Sequence, residues 1–337
     1  MRKAVVTGLL VLLVALAGFR KKEKVQPGIP QRWPAPAYDL GDAPLSEKKI
    51  QLGRLLFYDP ILSRDSTISC ASCHSPYNAF THVDHSLSHG IDGRIGTRNS
   101  PVLVNLAWST TLMWDGSITH LDEQAATPIS NPLEMDESMP HIVQKLQAND
   151  AYRRLFRDAF GRRGITDKNV LRALSQFMLT LVSANARYDS VKRGEAEFTE
   201  SEARGYALFT RHCSACHTEP LFTSNGFENN GLAVDDSLHD IGRMKITHLG
   251  SDSLKFKVPT LRNIAQSPPY MHDGRFKTLG QVLNNYIMGI QQSPTLNPRL
   301  QKGIYLTAVQ KADLVAFLYT LSDHAFLSDP RHGIPGK

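Results

Sequence analysis

Cys70-Ala71-Ser72-Cys73-His74 and Cys213-Ser214-Ala215-Cys216-His217 are two copies of one pentapeptide, and they decide the fold of this chain. Each has the form Cys-x-x-Cys-His, in which two thiols can each add to one vinyl group of a porphyrin while the adjacent imidazole binds the iron. The chain contains no other cysteine. A four-cysteine zinc site or two thiol redox pairs would need no histidine at these places. The sequence therefore predicts two covalent haem c groups, with His74 and His217 as iron ligands.

Length and charge narrow the class of protein. At 337 residues the chain has room for two modest domains, and its composition is that of an ordinary globular protein. The net charge of +6 is small, and its densest cluster is Lys21, Lys22 and Lys24. Charge alone gives no support for nucleic-acid binding, so we expect no nucleic-acid partner.

The N-terminus predicts export. Arg2 and Lys3 precede a long apolar run that ends in alternating small residues, and we therefore predict a signal peptide over 1–17. A proline-rich, extended leader follows over 18–44. The run is short for a membrane span, which needs about 20 apolar residues, and Phe19 stands where a lipoprotein would carry its lipidated cysteine. We expect a periplasmic protein, with an uncleaved N-terminal anchor as the alternative.

Helical patterns dominate the rest of the chain, and no alternating strand pattern of useful length is present. Helices are predicted from Ser46 to Leu56, Met139 to Phe160, Asn169 to Tyr188, Thr199 to Phe209 and Val309 to Leu321. The predicted fold is mainly α, with long connecting loops. It has two cytochrome c-like domains, 45–190 and 195–337, each with one covalent haem.

The chain also repeats itself, which supports two domains. The matched pairs are Gly53–Phe57 with Gly205–Phe209, Arg98-Asn99 with Arg262-Asn263, and Trp114-Asp115-Gly116 with His272-Asp273-Gly274. The chain therefore resembles a duplicated mono-haem unit.

Several further segments follow the order of one protein family. They are Leu52–Pro60, Ile68–His74, Arg98–Pro101, Trp114–Gly116, Leu121–Gln124, Asn131–Met135, Val258–Asn263, Pro269–Gly274 and Lys311–Leu318. In these segments, over roughly residues 45 to 325, the chain resembles the bacterial di-haem cytochrome c peroxidases and their relative MauG. The resemblance implies that the N-terminal haem reacts with hydrogen peroxide. It implies that the C-terminal haem accepts electrons from a small cytochrome c or a cupredoxin, and it allows a homodimer.

The resemblance also assigns two side chains to catalysis. Glu134 corresponds to the family's distal carboxylate, which would take a proton from bound peroxide and return it to the departing oxygen. Without the family, a surface glutamate in a polar loop is the simpler interpretation. Trp114 corresponds to the tryptophan between the two haems, where an indole could relay an electron. A core tryptophan is the structural alternative, and both can hold.

The loop after the first haem motif departs from the family. Many members carry a histidine there that ligates the resting iron, and the corresponding position is Ile91. The loop offers His82, His85 and His89, of which His89 lies nearest, and an exposed loop histidine is the alternative. If none binds, the iron would be open in the oxidised protein.

The sixth ligand of the second haem is the other departure. Where the peroxidases supply methionine this chain has Tyr286, and MauG supplies a tyrosine there. Tyr286 continues a helical face begun by Leu279 and Leu283, whereas Met288 would face away unless the helix ends first. Tyr286 and Met288 are therefore alternatives, with Met271 a third. Methionine raises the haem potential, whereas a phenolate favours oxidised iron.

A calcium ion between the domains is a further implication of the resemblance. Asn99, Ser267 and the carbonyl of Pro269 correspond to its protein ligands. Oxygen donors are what calcium needs, and waters would complete its shell.

The expected function is that of an exported cytochrome c peroxidase, which reduces hydrogen peroxide to water with electrons from the donor protein. Two alternatives are kept. One is a MauG-like oxidase that acts on a protein substrate, and the other is a non-enzymatic electron carrier with both irons six-coordinate.

Overall fold

The computed structural model of the protein describes residues 28–39 and 44–336. The signal peptide predicted over 1–17 lies outside the described residues, as do residues 18–27 and 40–43 of the predicted leader. Among the described residues, no helix is both long and apolar enough to cross a membrane.

Helices and short 3₁₀ turns form most of the regular structure. The helices are α1 (Glu47–Tyr58), α2 (Cys70–Cys73), α3 (Leu121–Gln124), α4 (Ala126–Ser130), α5 (Met139–Ala148), α6 (Asp150–Phe160), α7 (Asp167–Met178), α8 (Arg187–Arg193), α9 (Glu200–His212), α10 (Met244–Thr247), α11 (Leu279–Asn284), α12 (Ala308–Tyr319) and α13 (His324–Leu327). One antiparallel pair of short strands, β1 (Phe227–Glu228) and β2 (Phe256–Lys257), accompanies them. The prediction of a mainly α fold with long loops is confirmed.

Helix starts are predicted well where a capping side chain fixes them. Ser46 caps α1 by accepting a hydrogen bond from a first-turn amide. Thr199 and Glu202 form a reciprocal capping box at the start of α9. These signals are local, so they could be read from the sequence.

Two predicted helices have the wrong extent. The span 139–160 forms two helices, because the backbone of Asn149 is extended and its side chain caps α6. The helix predicted to reach Tyr188 stops at the end of α7. There the carbonyl of Leu181 accepts a hydrogen bond from the amide of Asn105, so this backbone pairs with a distant loop.

Each half of the molecule contains one close crossing of two helices. α1 crosses α7 at Gly53, and α9 crosses α12 at Gly205. A Cβ atom at Gly53 would lie 1.8 Å from the carbonyl oxygen of Ala173, and one at Gly205 would lie 2.0 Å from that of Asp313. No side chain fits at either place, so glycine allows the backbones to touch. The sequence repeat is therefore visible in the packing.

The loop that carries the Asp-Gly pair also occurs once in each half. Met113 and Met271 lie at its start with φ of 65° and 76°. Each loop is closed by one backbone hydrogen bond, of 2.8 Å in the first half and 2.7 Å in the second. Trp114 and His272 follow the two methionines and therefore occupy equivalent positions.

One match in the predicted repeat is wrong. Asn263 is equivalent to Asn105 and not to Asn99, because Asn105 and Asn263 both have positive φ (58° and 60°) and both begin a 3₁₀ turn. The amide of each donates to a backbone carbonyl just beyond α7 or α12. In the corrected register Pro101 also corresponds to Pro259. Asparagine adopts the left-handed conformation more readily than most residues. Asn105 and Asn263 are therefore matched by their shared backbone conformation, and an arginine before the asparagine is not part of the repeat.

The two hydrophobic cores do not follow the predicted boundaries at every residue. The first core gathers side chains from α1 to α7 and adds Phe326 of α13. The second core surrounds Phe317 and includes Tyr188 of α8. The domains 45–190 and 195–337 stay a prediction, and we propose that the segment around Phe326 belongs to the first of them.

Candidate functional site

The second Cys-x-x-Cys-His motif borders a cavity of about 310 Å³. Cys213, Cys216 and His217 line it, and neither cysteine forms a disulfide bond. Much of the remaining wall consists of leucines, namely Leu279, Leu283, Leu306, Leu314 and Leu318. An apolar cavity with two thiols and one imidazole fits a covalently held haem.

Both motif histidines are held through one ring nitrogen. Nδ1 of His74 lies 2.7 Å from the carbonyl oxygen of Phe80. Nδ1 of His217 lies 3.1 Å from the carbonyl oxygen of Phe222 and 3.2 Å from that of Pro259. An Nδ1–H that donates to a carbonyl leaves Nε2 free to bind a metal. Burial lowers the pKa of His74 to about 4 and also lowers the pKa of His217, which favours the neutral, metal-binding imidazole.

The first motif forms a single helical turn. α2 begins at Cys70 and ends at Cys73, and His74 follows directly. The Sγ atom of Cys73 lies 3.5 Å from the carbonyl oxygen of His89. Neither Cys70 nor Cys73 forms a disulfide bond, so this motif also presents the two sulfurs and one imidazole that a haem requires.

Glu134 lies beside the first motif. Its carbonyl accepts a hydrogen bond of 2.8 Å from the amide of Ile91, and a Cβ atom at Gly90 would lie 2.5 Å from the same oxygen. Burial raises the pKa of the Glu134 carboxyl, although Asn131 opposes this by donating to it at 3.0 Å. Burial also raises the pKa of the Cys73 thiol, and the charge of Glu134 raises it further. The structure therefore places a half-buried carboxyl near the first motif, and its catalytic role stays a prediction.

Trp114 lies where the two halves meet. Its indole Nε1 donates to the carbonyl of Asn99 at 2.8 Å, and its own carbonyl accepts from the amide of Lys257 at 2.7 Å. Its ring meets that of His272 edge-on, with 6.5 Å between centroids. Trp114 and His272 also line the cavity of the second motif. The halves thus touch through equivalent residues of the repeat.

The three loop histidines come together beside the first motif. The rings of His82 and His85 lie 4.8 Å apart, and those of His85 and His89 lie 3.8 Å apart. Burial lowers the pKa of His82 and His89, and the neighbouring His85 lowers both further. Ile91, at the family's histidine position, is buried. In the described part of the chain, no group of three or more His, Cys, Asp or Glu side chains is arranged to hold a metal ion.

The three candidates for the sixth ligand of the second haem lie in different places. Tyr286 and Met271 line the cavity. Nδ2 of Asn230 lies 3.5 Å from the hydroxyl of Tyr286 and 3.6 Å from the sulfur of Met271. Met288 is 81% exposed and does not line the cavity. The structure therefore leaves Met288 at the surface, away from the cavity, and the identity of the sixth ligand stays a prediction.

A change of helix type explains the position of Met288. α11 begins with a capping box of Thr278 and Gln281 and continues as a π-helical turn over Asn285–Gly289. The helix therefore continues through Met288. It would have had to end before Met288 for that side chain to approach the iron. Single π turns are frequent at functional sites, and the period of apolar residues cannot reveal them.

Two of the three predicted calcium ligands are in contact. The side-chain amide of Asn99 lies 2.7 Å from the carbonyl oxygen of Pro269, and its own Oδ1 is buried without a hydrogen-bond partner. A half-turn of the amide would bring two oxygens together, which suits calcium. The hydroxyl of Ser267 donates to the carbonyl of Ile264 at 3.3 Å. The calcium site stays a prediction.

Arg98 joins the two halves. It donates to Asp115 in its own half at 2.6 Å, and through two nitrogens to Asp240 in the second half at 2.6 and 2.8 Å. Burial by itself would raise the pKa of both carboxyls, but Arg98, together with nearby hydrogen bonds, lowers the pKa of both. Sequence reasoning matched Arg98 to the family without assigning it this role.

Two further residues that line the cavity were missed. Gln124 ends α3, and Lys257 lies in β2. Gln124 belongs to a segment that resembles the family, and Lys257 directly precedes another, so their positions carried a signal. The sequence alone does not show which way either side chain points.

Comparisons with known proteins agree with the two-part structure. Residues 47–197 match the family described as di-haem cytochrome c peroxidase, and residues 202–322 match the cytochrome c family. The methylamine utilization protein MauG of Methylorubrum extorquens is 38% identical over 290 residues, which cover 82% of this chain and 79% of that protein. The cytochrome c peroxidase Ccp of Escherichia coli is 34% identical over 310 residues, covering 90% of this chain and 62% of that protein.

A solved structure is similar to this chain over its whole length. It is described as a MauG-like protein associated with microbial copper homeostasis, and it is 34% identical to this chain with a TM-score of 0.83. The match covers 93% of this chain and 100% of that structure.

Proposed function

Because the chain belongs to the family of di-haem cytochrome c peroxidases and MauG proteins, we propose that it reduces hydrogen peroxide to water with electrons from a small donor protein. Its two motifs hold two haem c groups, as the family implies. The haem bound through Cys70, Cys73 and His74 supplies the iron at which peroxide is reduced. The observation that carries the proposal is the half-buried carboxyl of Glu134 beside this motif.

Glu134 handles the protons in this proposal. It takes a proton from the incoming peroxide and returns it to the oxygen that departs as water. Its raised pKa supports the second step, because a carboxyl with a raised pKa is protonated more often near neutrality. The hydrogen bond from Asn131 restricts the conformations of the side chain.

Trp114 supports the passage of electrons between the two halves. It lines the cavity of the second motif and touches His272, its counterpart in the repeat. The donor, a small cytochrome c or a cupredoxin, delivers electrons at the haem of His217. The export pattern over residues 1–17 supports a periplasmic location for this exchange.

The test is a steady-state assay of the purified holoprotein with hydrogen peroxide and a reduced cytochrome c. We expect two molecules of donor to be oxidised for each peroxide consumed, since each donor gives one electron. Cyanide should bind one of the two haems and stop the reaction. A protein that binds no cyanide and oxidises no donor would be an electron carrier, and the proposal would fail.

A second candidate function is MauG-like oxidation of a protein substrate. The specific observation in its favour is that Tyr286 lines the second haem cavity while Met288 lies at the surface. A tyrosine ligand would favour oxidised iron and suit storage of oxidising equivalents more than acceptance of electrons.

Paired substitutions test this candidate. Tyr286→Phe should change the absorption spectrum of the second haem and raise its midpoint potential, whereas Met288→Leu should change neither. Met271→Leu serves as the third arm, because Met271 also lines the cavity. A spectrum that changes with Met271→Leu and not with Tyr286→Phe would remove the support for the MauG-like activity.

A further inference from the structure

Lys257 is a cation that lacks a counter-charge within the described residues. It lies in β2 and lines the cavity of the second haem motif. Among the described residues, no carboxylate lies within ion-pair distance of its ammonium group, and burial alone lowers its pKa, to about 8. Lys257 is half-buried, and an ammonium group that loses part of its water is costly unless it is paired. The missing partner should therefore be a group that enters this cavity.

The position of Lys257 indicates which group is the partner of its ammonium group. Its amide donates to the carbonyl of Trp114, and two residues later the carbonyl of Pro259 lies 3.2 Å from Nδ1 of His217. This stretch therefore runs from the contact between the halves to the iron-binding histidine of the second motif. Once its vinyl groups are bonded to the two cysteines, a haem c keeps two propionate carboxylates as its charged substituents.

The carboxylate that the chain itself places in the cavity is already engaged. Glu228 lines the cavity, and Nδ2 of Asn297 donates to it at 2.8 Å. We propose that Lys257 binds a propionate carboxylate of the haem attached at Cys213 and Cys216. The pairing would compensate two charges that each lose water in the closed site.

The internal repeat places different residues at the position of Lys257 in the two halves, and this difference affects the potential of the second haem. Lys257 and Asn99 occupy equivalent positions, two residues before Pro259 and Pro101. The same place therefore carries an ammonium group in the second half and a neutral amide in the first. A positive charge held near the iron favours the reduced form, so Lys257 raises the potential of the second haem relative to the same site without it.

The test is Lys257→Met in the holoprotein, with Lys255→Met as the matched control. Lys255 carries the same charge two residues away, lies 3.7 Å from Asp252 and does not line the cavity. We expect Lys257→Met to lower the midpoint potential of the second haem and to displace the propionate bending band in its resonance Raman spectrum. Lys257→Arg should restore both readouts, and Lys255→Met should change neither.

An unchanged propionate band in Lys257→Met would overturn the proposal, whatever happens to the potential. Should that variant fail to retain its second haem, Lys257→Gln is measured in the same way. The inference rests on haem attachment and not on the peroxide reaction. Peroxide reduction is recorded separately for each variant, so that loss of the pairing and failure of the proposed function can be told apart.

Discussion

At the scale of single residues, the chemistry assigned to Glu134 depends on two opposing influences on one carboxyl. Burial raises its pKa, and the hydrogen bond from Asn131 lowers it. The net rise means that the side chain carries a proton more often than an exposed glutamate does. That property suits a group that must alternate between base and acid within one turnover.

Replacement of Glu134 by glutamine tests this assignment. Glu134→Gln preserves the size of the side chain and removes its capacity to accept and return a proton. The reaction with peroxide should slow by about 10²- to 10⁴-fold, the usual contribution of a positioned acid–base group. The haem content should not change, and stopped-flow absorbance is the measurement.

The matched control is Glu123→Gln, which makes the same change at an exposed residue of α3. Its rate should equal that of the wild type. If Glu134→Gln also reacted at the wild-type rate, Glu134 would have no part in the proton transfer.

At the scale of elements, the two glycine crossings fix the framework of each half. Gly53 and Gly205 allow helix backbones to approach so closely that a methyl group would overlap a carbonyl oxygen. The second haem motif begins directly after α9, whereas a loop separates α1 from the first haem motif. Each crossing therefore precedes a haem attachment site in the sequence.

Alanine at either crossing should destabilise the holoprotein. Gly53→Ala and Gly205→Ala force the helices apart, and each should lower the free energy of unfolding by about 1–3 kcal/mol, as overpacking does elsewhere. Guanidinium chloride unfolding followed by the haem and far-ultraviolet signals measures the effect.

Gly280→Ala in α11 is the control. The nearest atom to its added Cβ would be Thr278 Oγ1 at 3.7 Å, an ordinary contact. Alanine there should stabilise the helix by about 0.5–1 kcal/mol. Equal destabilisation by all three substitutions would contradict the role of the crossings.

Sequence reasoning succeeds for elements whose cause is local and fails for those whose cause is distant. The caps at Ser46 and Thr199 depend on neighbouring residues, and they were predicted. The early end of α7 depends on Asn105, far away in the sequence, and was missed. The π turn that carries Tyr286 and Met288 has no residue pattern of its own, so the exposure of Met288 could not be predicted from the sequence.

At the scale of the whole molecule, the ion pairs of Arg98 connect the halves. Arg98 holds Asp115 and Asp240 in their charged forms, so both carboxyls have a pKa below the ordinary value in the folded protein. Such groups stabilise the fold above the ordinary carboxyl pKa, and the stabilisation is lost as the pH falls through the folded-state value.

Asp240→Asn should therefore show a pH-dependent defect. Near neutral pH the variant should melt a few degrees below the wild type, because the half-buried Arg98 loses one of its charged partners. The gap should narrow as the pH falls below the ordinary carboxyl pKa of about 4 and through the lowered pKa of Asp240, where the wild-type carboxyl becomes protonated too. Thermal melts across this range measure it, with the exposed Asp236→Asn as control. A gap that stays constant with pH would mean that the ion pair is not its cause.

The most direct test of the central claim is a stopped-flow experiment on the holoprotein, mixed with hydrogen peroxide and a reduced cytochrome c. It is run with both haems oxidised and again after half-reduction. Because a buried isoleucine, Ile91, holds the family's histidine position, we expect peroxide loss and sustained donor oxidation to begin in the fully oxidised protein. The absence of peroxide loss and of donor oxidation in both states would contradict the claim that this protein is a peroxidase.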